Sequence, residues 1–160
     1  MKTAVIFYSL DGNCTFVAEE IKNQLNADII QLHVKSEKKR IGIFKFFWCC
    51  NLMFSHNSPP LKPYTFEPSK YDLIIIGVPV WASSPASPIK TFITNTNITG
   101  KKIALYVCHA GGKGDSQEKL KALLPKNEII SEADFINPAK TKDQSKFLIA
   151  NWAKSIPSSL

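Results

Sequence analysis

Five runs of apolar residues punctuate the chain, with helically spaced apolar positions between most of them. Residues 3–8 are nearly continuously apolar, without alternation, which predicts a parallel strand buried on both faces. From about Cys14 to Leu25, Phe16, Val17, Ile21 and Leu25 fall on one face at helical spacing. Asn26-Ala27-Asp28 ends that helix, and residues 29–34 predict a second strand. Residues 35–70 are the least regular. Lys35, Lys38, Lys39 and Arg40 form a basic run, Ile41 to Phe54 is aromatic-rich and reads as helical over part of its length, and Pro59, Pro60, Pro63 and Pro68 predict a long loop or extended segment.

The aliphatic run 71–77 ends at Gly77 and predicts a central strand. Residues 78–88 carry three prolines and one tryptophan and read as a loop, followed by a short helix from Ile89 to about Asn95. Residues 102–108 predict a fourth strand, 109–115 a Gly-rich loop and 116–124 a helix. Residues 128–136 predict a fifth strand. Asp143 to about Ile156 closes the pattern as a helix, with Phe147, Ile149, Ala150 and Trp152 as candidate buried residues. The order βαβ(α)βαβαβα argues for an α/β fold, a parallel sheet with helices on both faces.

At 160 residues the chain is expected to be one domain, spanning 1–160. The formal net charge of +7 admits anionic partners, but no nucleic-acid module accompanies it, so no nucleic-acid partner is expected. The longest apolar run, near 43–54, is interrupted by Lys45 and Asn51 and is too short to span a bilayer. Met1-Lys2-Thr3 leads into the first strand without a leader pattern, which sets the expectation of a cytoplasmic location. Cys14, Cys49, Cys50 and Cys108 show no CxxC spacing, so free thiols are expected and no metal site. Cys14 stands beside a helix N-terminus, which could lower its pKa and make it reactive; the alternative is a small loop-packing residue.

Three loops leave the carboxyl ends of predicted strands, where doubly wound sheets bind ligands. In the first, Ser9, Leu10, Asp11, Gly12, Asn13, Cys14 and Thr15 precede a helix whose opening N–H groups lack intrahelical partners and whose dipole is positive there, a cradle for phosphate. Only one glycine is present and no Gly-Lys-Ser/Thr ending, which fits a mononucleotide phosphate better than NAD or ATP. In the second loop, Pro79, Val80, Trp81 and Ala82 offer rigid backbone and a ring against which a flat heterocycle could lie; alternatively Trp81 is tucked into the core. In the third, Cys108, His109, Ala110, Gly111, Gly112, Lys113 and Gly114 permit close main-chain approach to a ring edge.

These motifs resemble those of the short flavodoxin-like family. Tyr8-Ser9-Leu10-Asp11-Gly12-Asn13-Cys14 is similar to its phosphate loop, usually Ser/Thr-x-Thr/Ser-Gly-Asn-Thr. Gly77-Val78-Pro79-Val80-Trp81 resembles its isoalloxazine loop and Gly111-Gly112-Lys113-Gly114 its third loop. The segment Phe44-Lys45-Phe46-Phe47-Trp48 resembles a region of bacterial flavodoxin-like proteins. The resemblance covers essentially the whole chain. It implies a five-stranded, doubly wound parallel sheet of order 2-1-3-4-5 in a three-layer sandwich, binding FMN. Asp11 departs from the common hydroxyl residue, and Cys14 from the usual phosphate-donating Thr.

Three roles follow. The first is a redox protein transferring electrons through FMN, either as a carrier for a partner protein or as an oxidoreductase using NAD(P)H and quinone-like acceptors, in a monomer or homodimer. His109 and Trp81 are the side chains expected near the ring, His109 either as a proton donor or as a plain loop residue. The second is a binding module with weak or lost cofactor affinity, motivated by Asp11 and Cys14. The third is a membrane-peripheral role for residues 35–54, where basic residues precede aromatic ones. A phosphoacceptor receiver is excluded, because strand three ends in Gly77 rather than Asp.

Overall fold

A computed structural model describes residues 1–35 and 59–156. The strands are β1 (Thr3–Tyr8), β2 (Asp28–Leu32), β3 (Leu73–Trp81), β4 (Ser84–Pro85), β5 (Lys102–His109) and β6 (Glu128–Ile136). The helices are α1 (Asn13–Leu25), α2 (Ser87–Asn95), α3 (Ser116–Ala122) and α4 (Lys142–Ser155). The five long strands pair in parallel in the order β2-β1-β3-β5-β6. That is the expected 2-1-3-4-5 arrangement, renumbered because β4 is a short antiparallel addition to β3.

Both faces of the sheet are covered, which is why its strands read as continuous apolar runs. On one face Ile6, Ile74, Ile76, Leu105 and Val107 pack with Ile89 and Phe92 of α2 and Leu120 of α3. On the other, Val5, Phe7, Ile75 and Tyr106 pack with Val17 and Ile21 of α1 and Ile149 and Ala153 of α4. Past residue 59, Tyr64 and Phe66 lay their rings on Phe92 at 5.6 and 5.5 Å between centroids. Val34 bridges Leu61 where the chain leaves and rejoins the described part. The basic residues Lys38, Lys39 and Arg40, the segment Phe44–Trp48, and Cys49 and Cys50 lie outside the described residues. Among the described residues no helix is long and apolar enough to cross a membrane.

Two expectations need correction. Residues 78–81 are strand, not loop. β3 continues to Trp81, turns through Ala82 and Ser83 at φ 41° and 57°, and returns as β4, with Val80 opposite Pro85 and Trp81 opposite Ser84. Pro79 is compatible with this because its carbonyl accepts the Ala86 N–H at 3.1 Å and its missing donor is not needed there. Phe147 is 67% exposed rather than buried. The buried positions of α4 are Ser145, Ile149 and Ala153, four apart, and Phe147 stands about 200° around the helix from Ser145.

Gly77 has a packing reason. A Cβ there would sit 1.9 Å from Cζ of Tyr106, whose ring leans across β3 on the α1 face. The ring is walled in by other buried side chains and cannot retreat freely. Gly77→Ala should therefore destabilise the fold by about 1–3 kcal/mol or more, measured as a lower denaturation midpoint. An unchanged midpoint contradicts this packing.

Candidate functional site

The carboxyl edge of the sheet opens into a cleft of about 120 Å³. It is lined by Ser9, Leu10, Asp11, Asn13 and Cys14 from the β1–α1 turn, Pro79, Val80 and Trp81 from the end of β3, and Cys108, His109 and Ala110 from the end of β5. All three loops singled out in the sequence thus reach one place. The register explains it: Phe7 pairs with Gly77 and Gly77 with Tyr106, so the three strands end level.

The phosphate-loop residues take distinct positions. Gly12 is the N-cap of α1 at φ 81°, a conformation that favours glycine, and has no side chain to cap the helix. The Thr15 N–H donates to Ser9 Oγ at 3.3 Å, and the Phe16 N–H to the Gly12 carbonyl at 2.9 Å. The N–H groups of Asn13 and Cys14 precede the helical ladder and stand at its positive end. There is no acidic residue in the first turn of α1. Asp11 lines the cleft and is solvent-exposed, where water screens its charge. Asn13 Oδ1 accepts the Ala139 N–H at 3.1 Å, which commits the carbonyl half of the amide and leaves Nδ2 as a donor.

Cys14 is not the reactive thiol that its place on the helix suggested. It is fully buried, and burial pushes its thiol well above the ordinary range, with the hydrogen-bonded Cys108 thiol adding to the effect. It is a packing residue. Tyr106 donates to the Cys14 carbonyl at 3.0 Å, and burial likewise pushes that phenol up.

The second and third loops brace one another. Trp81 is half-buried; its ring stands edge-on to Tyr8 at 5.8 Å and 89°, and it packs against the core while also lining the cleft. Ala82 occupies the hairpin turn rather than the cleft wall. Lys119 Nζ donates to the Ser83 carbonyl at 3.1 Å and to Ser84 Oγ at 3.0 Å, holding that turn in its positive-φ conformation. Gly114, at φ 49°, lies against it: a Cβ there would fall 2.4 Å from Ser83 Cβ. Gly111 and Gly112 are exposed and have open space around them.

Asp134 of β6, unremarked in the sequence, anchors this corner. Its Oδ2 lies 3.1 Å from His109 Nε2 and its Oδ1 2.9 Å from Lys113 Nζ. Burial pushes the Asp134 carboxyl up, but the hydrogen bonds and charges of His109 and Lys113 outweigh that and hold it below the usual carboxylate range. Asn137 is the other residue the sequence did not bring forward. It lines the cleft at φ 44°, and its N–H donates to the His109 carbonyl at 2.9 Å. Its signal was available: an asparagine just past a strand, at the carboxyl edge, tolerates left-handed backbone. A second hollow of about 350 Å³ lies at the opposite edge, between residues 93–99 and 123–127, where no sequence-predicted site residue reaches.

A family model described as Flavodoxin matches residues 2–156. Among solved structures, a flavoprotein in complex with FMN from Lactobacillus acidophilus NCFM superposes with a TM-score of 0.72 at 22% identity, covering 90% of this chain and 98% of that one. Two-electron reduced Megasphaera elsdenii flavodoxin gives 0.62 at 16% identity, covering 95% and 98%. Oxidised flavodoxin 1 from Bacillus cereus gives 0.62 at 16% identity, covering 100% and 99%. At these identities the likeness shows a shared fold. The comparison with curated proteins gave no match.

Two outcomes check this geometry. Gly114→Ala should distort the third loop and lower stability by about 1–3 kcal/mol in denaturant unfolding. Because the folded Asp134 carboxyl titrates below its unfolded value, its contribution is full above about pH 4 and fades as pH falls through the lowered folded value. Asp134→Asn should therefore cost about 0.5–1 kcal/mol at neutral pH, allowing for solvent screening, and nothing in strong acid. A pH-independent difference contradicts the pairing.

Proposed function

This chain belongs to the flavodoxin family, and from that premise we propose that it binds FMN at the carboxyl edge of its sheet and transfers electrons through it. The observation that carries the reading is the convergence of three loops on a cleft that meets the N-terminus of α1, whose N-cap is a glycine. FMN, when bound, supplies the redox chemistry; the protein supplies grip, orientation and local charge.

The N–H groups of Asn13 and Cys14, with the Ser9 hydroxyl and Asn13 Nδ2, would be the donors for the phosphate. Fixing Asn13 Oδ1 on Ala139 supports that role, because it turns the amide's donor half outward. Cys14 then contributes backbone, not its thiol, which makes the loss of the usual threonine tolerable. Backbone of Pro79–Trp81 and Cys108–Ala110, which lines the cleft, would lie against the isoalloxazine. An enclosed volume of about 120 Å³ is well below the roughly 300 Å³ needed to bury a drug-sized ligand. A cleft of that size would cover FMN only in part and leave an edge in solvent. An exposed edge suits electron exchange with a partner protein or a small acceptor.

Calorimetric titration with FMN tests this directly. One FMN should bind per chain. Asn13→Asp should weaken binding about tenfold or more, about 1.4 kcal/mol, because a carboxylate replaces a donor while the acceptor for Ala139 is kept. Absence of FMN binding by the parent chain would instead favour a flavodoxin-fold binding module.

A further inference from the structure

The corner at Asp134 holds one carboxylate between two basic groups. His109 closes β5, Lys113 lies in the third loop and Asp134 projects from β6. The His109 side chain is 6% exposed, belongs to a residue lining the cleft, and has one nitrogen, Nδ1, buried without a partner among the described residues. Lys113 Nζ is on Asp134 Oδ1, so the carboxylate's two oxygens are both engaged. The other titratable groups at this cleft are Asp11 from the β1–α1 turn, Cys14 on α1 and Cys108 on β5. Asp11 is exposed and the Cys14 thiol stays protonated, so neither supplies a buried charge.

Neutral His109 donates its Nε2–H to Asp134, which fixes the tautomer and leaves Nδ1 a bare acceptor. The three groups then sum to zero charge. Protonated, His109 keeps the bond to Asp134 and gains an Nδ1–H for which the described protein has no acceptor, and the sum becomes +1. Adding electrons to an isoalloxazine increases the negative charge on its ring, making it a better partner for a cation and a better acceptor than the oxidised ring.

We propose that His109, positioned by Asp134, sets the charge of this site: its protonated form favours reduced FMN over oxidised FMN. The proposal rests on the reading that FMN occupies the cleft. It gives His109 a role separate from gripping the cofactor, because the effect lies in the difference between two redox forms. By linkage, the proton and the reduced cofactor strengthen each other's binding by the same factor.

The test uses the FMN-loaded protein. The midpoint potential of bound FMN relative to free FMN gives the ratio of reduced to oxidised affinity, and it is followed across a window of roughly pH 5 to 8. The parent protein should shift this ratio about fivefold or more toward reduced FMN as pH falls. His109→Gln, whose side chain does not titrate, should abolish the shift. Asp134→Asn removes the counter-charge and should move the window to lower pH; Lys113→Gln removes a competing cation and should move it to higher pH. A purely structural role would change oxidised and reduced affinity together and leave the ratio flat. An unaltered pH profile in His109→Gln overturns the proposal. If that variant fails to fold, Asp134→Asn and Lys113→Gln moving the window in the same direction, or not at all, overturns it instead. Failure of the parent to take up FMN at any pH, seen in calorimetry, strikes the underlying functional reading and this inference with it.

Discussion

The buried hydroxyl of Tyr106 has to be hydrogen-bonded, and that requirement ties three elements together behind the cleft. Its ring crosses β3 where Gly77 leaves room, and its O–H reaches the carbonyl of Cys14 at the start of α1. An unpartnered hydroxyl in that position would cost about 1–3 kcal/mol. The bond also fixes where the N-terminal turn of α1 sits relative to β5. Phe135 and Trp152 pack edge-on against the same ring at 6.4 and 6.2 Å, so β6 and α4 join the arrangement. The helix mouth is therefore held by the core, not by loop residues alone.

Around that fixed point the cleft is assembled from segments that stabilise one another. Gly114 of the third loop lies on the Ala82–Ser83 turn, and Lys119 of α3 holds the turn from the other side. Asn137 and Ala139, past β6, take hydrogen bonds to the His109 carbonyl and the Asn13 side chain. Positive φ at Ala82, Ser83 and Asn137 is unfavourable for residues with a Cβ, and it is found where these contacts are concentrated. A site braced this way holds its donors in place before a ligand arrives, so less ordering has to accompany binding.

Much of this was legible in the sequence because burial on both faces of a parallel sheet produces continuous apolar runs such as 73–76 and 103–107, which are hard to mistake. The loops were legible as a set because three of them leave strand ends in the same direction. What was not legible depended on pairing across the chain. The extension of β3 to Trp81 was hidden by prolines, which signal loops locally but are tolerated where the partner needs no donor. Phe147 misled because its apolar character says nothing about which side of α4 meets the sheet. Asp134 gave no local motif and Asn137 only a residue type that tolerates left-handed backbone; their importance comes from β6 being placed beside β5. Cys14 showed the helix terminus but not the depth of burial that overrides it.

The central claim is that the ligand sits at the carboxyl edge of the sheet, gripped at the mouth of α1. Backbone amide NMR of the protein with and without FMN tests it most directly. The account predicts that shift changes concentrate at residues 9–14, 79–81 and 108–110. Changes centred on the opposite hollow, at residues 93–99 and 123–127, or no changes at all, would contradict it.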